Sequence, residues 1–142
     1  MKSLIFGLFL LILAGCAANN SATKNSGKQF TGGKWEIHVI SGAAVDPSKS
    51  GNALPYVNFD MTEHMMSAFA GCNRMSAGFS LEKDSLSISP MISTRMACPD
   101  MDYEYALEKS LTPGKYTFKE TDSNLQLFFN GSKVLELKRP TK

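Results

Sequence analysis

Apolar and polar residues alternate through much of the chain beyond residue 30, with the period of a β-strand that buries one face. The first such segment is residues 34–41, where Trp35, Ile37 and Val39 alternate with polar side chains and Trp35 is expected to anchor the core. The same alternation predicts further strands at residues 56–61, 65–70, 78–81, 86–89, 115–121, 124–129 and 132–138. Most of the domain is therefore expected to be β-sheet.

Turn-forming residues separate these segments and predict how they pair. Residues 62–64 and the pair Lys83-Asp84 are each expected to turn a hairpin. Asn130-Gly131 favours a two-residue hairpin turn, because both residues tolerate positive φ. Residues 41–55 are rich in Gly, Pro, Asp, Ser and Asn, which predicts a long loop, and residues 90–97 are expected to be irregular.

One helix is predicted after this irregular stretch. Pro99 suits a first helical position, and the nearby acids Asp100, Asp102 and Glu104 favour the positive end of a helix dipole. Apolar side chains recur at four-residue spacing on one face, and the helix is expected to stop at a Pro-Gly pair: Tyr103, Leu107, Leu111 and Pro113-Gly114. The predicted fold class is α+β, with a curved or partly closed antiparallel sheet of about seven to eight short strands and one covering helix.

The start of the chain is typical of a secretion signal. Met1-Lys2-Ser3 is short and positively charged, and the apolar run at residues 4–13 is too short to span a bilayer, which needs about 20 residues. Leu13-Ala14-Gly15-Cys16 looks like the lipobox of bacterial lipoproteins. We expect residues 1–15 to be removed and Cys16 to carry fatty acyl chains such as palmitate. The alternative is an ordinary cleaved signal followed by a chance cysteine.

The next segment, residues 16–29, is polar and is expected to be a flexible tether that begins with the lipidated cysteine. A single domain then spans residues 30–142. Ala17 rather than Asp follows the cysteine, which resembles the sorting pattern for the outer membrane and predicts an anchored protein that faces the periplasm.

Composition argues against a nucleic-acid partner. The chain has 15 Lys and Arg against 13 Asp and Glu, and loss of Lys2 with the leader brings the mature protein close to neutral. Phosphate binding requires a concentrated basic face, whereas these basic residues are mostly scattered lysines.

The two remaining cysteines are expected to pair. An oxidising compartment and an even count favour a disulfide between Cys72 and Cys98. Two buried thiols are one alternative, and a metal site that recruits His38 or His64 is another. No CxxC or HxxxH spacing supports a metal, and each histidine is expected at a solvent-facing strand or turn position.

A family resemblance emerges from the cysteine region. Gly71-Cys72-Asn73 is followed by Gly78, by Ser93-Thr94-Arg95-Met96-Ala97-Cys98, and then by an acidic helix and a closing hairpin. This order resembles the META/HslJ domain family over residues 30–138, and the family also has apolar residues at the places of Trp35, Leu125 and Leu127. The resemblance implies a fold like the cracked β-barrel of secretion pilot lipoproteins, which hold an acyl chain in an apolar cavity.

The sequence predicts a general class of function without a specific ligand or partner. The resemblance implies an envelope protein in stress response or envelope maintenance, such as heat shock or antibiotic tolerance, with no established catalytic activity, and we expect a non-enzymatic protein. No residue pattern in the sequence indicates a cofactor or a metal. No catalytic motif is recognisable in the sequence. The alternatives are a carrier or chaperone of an apolar ligand, and a module that docks another envelope protein through the loop at residues 41–55.

Three motif residues are candidates either for fastening loops or for binding a ligand. Asn73 can hydrogen-bond local backbone, while Arg74 and Arg95 each offer five donors suited to carbonyl-rich loops, carboxylates or phosphates. Loop fastening is the favoured role for the two arginines, and a ligand role stays open.

Overall fold

The computed structural model describes residues 29–51 and 53–141, which form ten strands and one α-helix. The elements are β1 (Gly33–Ile40), β2 (Ala43–Ala44), β3 (Tyr56–Asp60), β4 (Met65–Phe69), β5 (Arg74–Glu82), β6 (Ser85–Ile88), β7 (Ile92–Ser93), α1 (Asp102–Ser110), β8 (Gly114–Glu120), β9 (Asn124–Phe129) and β10 (Ser132–Lys138). A short 3₁₀ helix covers Pro47–Ser50. The fold is α+β, as the sequence predicted.

Eight of the strands close into an antiparallel barrel. Their order is β1, β3, β4, β5, β6, β8, β9 and β10, and β10 pairs with β1 to complete the ring. That last pairing runs from Glu36 opposite Lys138 to Ile40 opposite Leu135. The sheet is therefore fully closed, which goes beyond the curved or partly closed sheet that the sequence predicted.

The strand β7 extends the wall beyond β6. Phe79 of β5 pairs with Ile88 of β6, and Ser76 of the same strand pairs with Ile92 of β7. β6 and β7 therefore follow one another along the same side of β5, and the register shifts by one residue between them. The Ser89 N–H also donates to the Gly78 carbonyl at 2.9 Å. Residues predicted to be an irregular crossing are thus partly incorporated into the sheet.

Side chains fill the interior of the barrel. Apolar residues from every barrel strand are buried, and the largest fully buried ones include Trp35, Tyr116 and Phe59. The polar groups of Trp35 and Tyr116 are hydrogen-bonded inside the barrel. Trp35 Nε1 donates to the Gly32 carbonyl at 3.1 Å, and the Tyr116 hydroxyl donates to the Thr112 carbonyl at 2.6 Å. Burial raises the pKa of Tyr116. Trp35 is the core anchor that the sequence predicted.

The helix closes one end of the barrel. Its residues Leu107 and the adjoining Leu111 are fully buried against the core, and Ser110 Oγ lies 2.9 Å from Ser41 Oγ at the end of β1. The helix begins at Asp102, so the prediction that Pro99 would be its first residue is wrong. Met101 occupies the N-cap without a side-chain hydrogen bond.

The segment that precedes β1 closes the opposite end. Phe30 is buried there, with its ring centroid 5.0 Å from that of Phe59 and 5.1 Å from that of Phe118. The guanidinium of Arg139 lies 3.6 Å from the centroid of the Trp35 ring and completes the closure. The chain thus enters the barrel at the end opposite to the helix.

Predicted strands agree with the structure at most positions, and the turn at Asn130-Gly131 has positive φ at both residues. The main difference is β5, which begins at Arg74 instead of residue 78. The predicted loop at residues 41–55 contains the short strand β2 and the 3₁₀ helix, which Asp46 caps by accepting from the Ser48 N–H at 3.0 Å. The predicted leader, lipidated Cys16 and tether up to residue 28 lie outside the described residues. No helix in the described ranges is long and apolar enough to cross a membrane.

Candidate functional site

The two cysteine segments meet at the helix end of the barrel. A disulfide joins Cys72, in the connection between β4 and β5, to Cys98, just before α1, with their Cα atoms 6.3 Å apart. Gly71 has a φ of 120°, a conformation that favours glycine, so the chain can turn sharply beside the buried Cys72. The bridge fixes the segment at residues 93–98 against the start of β5.

The side chain of Asn73 fastens the same two segments. Its Nδ2 donates to the Met96 carbonyl at 3.1 Å and to Glu104 Oε1 at 2.5 Å. Its Oδ1 accepts from the Met96 N–H and the Thr94 hydroxyl, each at 2.7 Å. Asn73 is only 1 % exposed, so these bonds satisfy a buried amide that would otherwise be costly.

Glu104 joins the helix to this network. It lies in the first turn of α1, is 2 % exposed, and accepts from the Asn73 backbone N–H through Oε2 at 2.7 Å. Because two donors already occupy Asn73 Oδ1, the amide nitrogen must face Glu104, and only an acceptor can lie opposite it. The buried carboxyl is therefore matched to the orientation of the amide. The sequence assigned Glu104 only to the helix dipole and missed this role.

A groove lies beside this network on the outer face of the barrel, with a volume of about 430 Å³. Residues of β3, β4, β5 and β7 line what we call the outer groove, chiefly Tyr56, Ser67, Arg74, Ser76, Ile92 and Thr94. It is open to solvent, as are two smaller concavities of about 230 and 270 Å³ that flank Arg95.

Strand register explains the shape of the outer groove. Tyr56, Phe69 and Arg74 are direct cross-strand neighbours, and Tyr56 and Arg74 line one side of the groove. In the next row Ser67 faces Ser76, and their short side chains leave a depression.

Ile92 follows in register and closes the far side of the outer groove. It is 72 % exposed, the largest exposed fraction among the large apolar side chains that the structure describes. None of Tyr56, Ser67, Ser76 and Ile92 was singled out from the sequence, because short alternating strands do not reveal which outward positions are neighbours.

Arg74 is exposed, with its guanidinium 6.0 Å from the centroid of the Phe69 ring. Its backbone is held on both sides, since the Arg74 N–H donates to Thr94 Oγ1 at 3.1 Å and the Arg74 carbonyl accepts from the Thr94 N–H at 3.1 Å. The guanidinium itself donates no hydrogen bond to any described residue. Arg95 is also exposed and likewise has no described hydrogen-bond partner. A role for either arginine stays a prediction.

The two histidines lie on different elements of the barrel. His38 lies on the outer side of β1, where partial burial and the Lys138 ammonium lower its pKa. His64 lies in the turn between β3 and β4, with a φ of 52°. Within residues 29–51 and 53–141, no three His, Cys, Asp or Glu side chains are grouped so that they could hold a metal ion.

The fold and site together define a small closed β-barrel protein with a helix at one end and a disulfide-braced motif beside it. The family model of the META domain matches residues 28–142, and the chain belongs to that family. The resemblance carried by the Gly-Cys-Asn and Ser93 to Cys98 motifs is therefore confirmed. No curated protein matches the chain significantly.

Solved structures share this fold. An NMR structure of a protein from Burkholderia xenovorans has 25 % identity and a TM-score of 0.60, with 78 % of this chain and 83 % of that chain covered. A second NMR structure has 22 % identity and a TM-score of 0.59, and covers 80 % of this chain and 93 % of its own. These similarities describe the fold and not the function.

Proposed function

We propose that this META domain protein is a non-enzymatic, lipid-anchored protein of the bacterial envelope that acts by binding, in stress response or envelope maintenance. The anchor would be Cys16, and the mature protein would lie at the outer membrane facing the periplasm. The binding surface would be the outer groove together with the disulfide-braced motif beside it.

The observation that carries this proposal is that the chain enters the barrel at one end and the outer groove lies towards the other. The chain enters at the end that Phe30 closes, whereas Tyr56, Phe69 and Arg74 lie at the helix end of their strands. An N-terminal lipid would therefore be connected, through the tether, to the Phe30 end of the barrel. The outer groove would then lie towards the far end of the barrel, where a periplasmic ligand could reach it.

Binding is favoured over catalysis by the chemistry of the groove. Its hydroxyl groups belong to serine, threonine and tyrosine, and none of its lining residues is a histidine, cysteine or acid that could act as a base or a strong nucleophile. Activation of a hydroxyl nucleophile requires such a base within hydrogen-bond reach.

A carrier that holds an apolar ligand inside the barrel is less well supported. The interior positions of the strands are occupied by buried side chains such as Trp35, Met66 and Leu127, each with 0 % exposure. An internal ligand would have to displace this core, and disruption of close packing costs several kcal/mol, about 2–5 for each large side chain lost. Binding at the open groove requires no such rearrangement.

Cell fractionation tests the anchor. Cys16→Ser should abolish the lipid-modified N-terminus in mass spectra and move the protein out of the membrane fraction. Ala17→Asp keeps the cysteine and serves as the matched control, which should remain lipidated and shift from the outer to the inner membrane. Membrane association of Cys16→Ser equal to that of the wild type would contradict the proposal.

A further inference from the structure

The outer groove combines a small floor, apolar walls and one cation. Its volume of about 430 Å³ lies within the usual range for small-molecule sites, which is roughly 300–1,000 Å³. Tyr56 and the exposed Ile92 provide apolar surface on opposite sides, and Ser67 and Ser76 provide the floor. Such sites usually consist of apolar walls with a few polar groups that orient the ligand.

Several polar groups in the groove are available to a ligand, whereas the Ser93 and Thr94 hydroxyls donate hydrogen bonds within the protein. The hydroxyls of Tyr56, Ser67 and Ser76 make no hydrogen bond to any residue that the structure describes. The Arg74 guanidinium is equally unoccupied, although its backbone is pinned to Thr94 on both sides and its head lies over Phe69. A guanidinium that has five free donors and extends from a hydrogen-bonded backbone is well suited to bind a planar anion.

Charge in the groove favours such an anion. Arg74 is the one charged residue among those that line it, and no lining residue is acidic. A single fork of donors matches the two oxygens of a carboxylate, which can accept two parallel hydrogen bonds. Phosphate sites instead tend to use helix N-termini or clusters of backbone N–H groups, and the groove is built from paired strands.

We infer that the outer groove binds a small organic monocarboxylate with a flat, largely apolar body. The carboxylate would pair with Arg74, and the body would lie over Ser67 and Ser76 between Tyr56 and Ile92. This inference rests on the proposed function, because it names the ligand class of the same surface.

Titration with 2-naphthoate tests the inference directly. The mature protein, as it is purified from the cell, is titrated in detergent solution by calorimetry with 2-naphthoate, 2-naphthamide, acetate and inorganic phosphate, with the same solution without protein as the blank. Arg74→Gln removes the proposed partner. Lys119→Gln is the matched control, because Lys119 also lies over an outward ring, that of Phe128 at 5.4 Å, and its loss changes the net charge equally.

We expect 2-naphthoate to bind at least about tenfold more tightly than the neutral amide, acetate or phosphate, as the loss of a charge-assisted hydrogen bond or of apolar contact predicts. Arg74→Gln should weaken 2-naphthoate binding by about tenfold or more, and Lys119→Gln by less than about twofold. Absence of binding, equal binding of the amide, tighter binding of phosphate, or equal losses in both variants would overturn the inference. Membrane anchoring through Cys16 is measured separately, so an unanchored protein would refute the proposed function even if the groove bound 2-naphthoate.

Discussion

Replacement of Asn73 by alanine should destabilise the domain strongly, because its side chain makes four hydrogen bonds in a nearly water-free setting. The substitution would remove all four and leave Glu104 Oε1 and the Met96 N–H without these partners. A net contribution of about 1 kcal/mol for each bond predicts a loss of roughly 3–5 kcal/mol. Domains of this size typically have about 5–15 kcal/mol of net stability, so the variant would lose a large share of it.

Urea unfolding followed by tryptophan fluorescence measures this loss, since Trp35 is the only tryptophan and is fully buried. Asn58→Ala is the matched control, because Asn58 lies half-buried on β3 and makes no side-chain hydrogen bond to a described residue. It should cost less than about 1 kcal/mol. Asn73→Asp provides a second check, since it places a carboxyl group against that of Glu104 and should also be destabilising. If Asn73→Ala lowered stability no more than Asn58→Ala does, the network would not be what fastens the motif.

Three further predictions concern other parts of the barrel. Reduction of the disulfide between Cys72 and Cys98 frees a loop with a separation of 26 residues. Chain entropy then predicts a loss of roughly 3.5 kcal/mol, and a thermal scan with and without reductant should show a fall of about 10 °C or more; an unchanged melting temperature would reject the energetic argument. The Asp60 carboxylate accepts two backbone N–H groups of the turn that follows it, which lowers its pKa from the ordinary 3.8. The ionised Asp60 carboxylate stabilises the folded state above the unfolded pKa, and this stabilisation is lost as pH falls through the lower folded pKa. Asp60→Ala should therefore be less stable than the wild type at neutral pH, and the difference in free energy of unfolding should narrow in acid. A difference that stays constant with pH would contradict this. Gly32→Ala should lower the stability measured by urea unfolding more than Gly131→Ala does. Both residues have positive φ, but only at Gly32 would the new Cβ lie 2.9 Å from a backbone carbonyl oxygen. Equal losses of stability in the two variants would contradict that reason.

Much of the fold follows from local sequence signals. Alternation located the strands because most barrel strands bury every second residue over part of their length, as Trp35 and Ile37 do in β1. Asn130-Gly131 indicated its turn for the equally local reason that both residues adopt positive φ. The start of β5 was missed because the motif at residues 71–74 interrupts the apolar alternation in the sequence, although Met75 is already buried as part of the strand.

Barrel closure and the site depend on contacts that are distant in sequence. The pairing of β1 with β10 joins the two ends of the domain, and no local pattern specifies it. Glu104 was interpreted as a helix-dipole residue because its partner, Asn73, lies 31 positions away. Asn73, one of the residues that the sequence offered for loop fastening, has that role in the structure together with Glu104, and the roles of the two arginines stay predictions.

Genetic complementation tests whether the protein acts through the outer groove. A deletion strain is grown under heat or antibiotic stress while it expresses the wild type, Arg74→Gln or Lys119→Gln, with membrane levels and melting temperatures shown to be equal. Because Arg74 is exposed and its guanidinium has no described hydrogen-bond partner, its replacement should leave folding intact. If the protein acts through the outer groove, the wild type and Lys119→Gln will restore survival and Arg74→Gln will not. Full restoration by Arg74→Gln would contradict it.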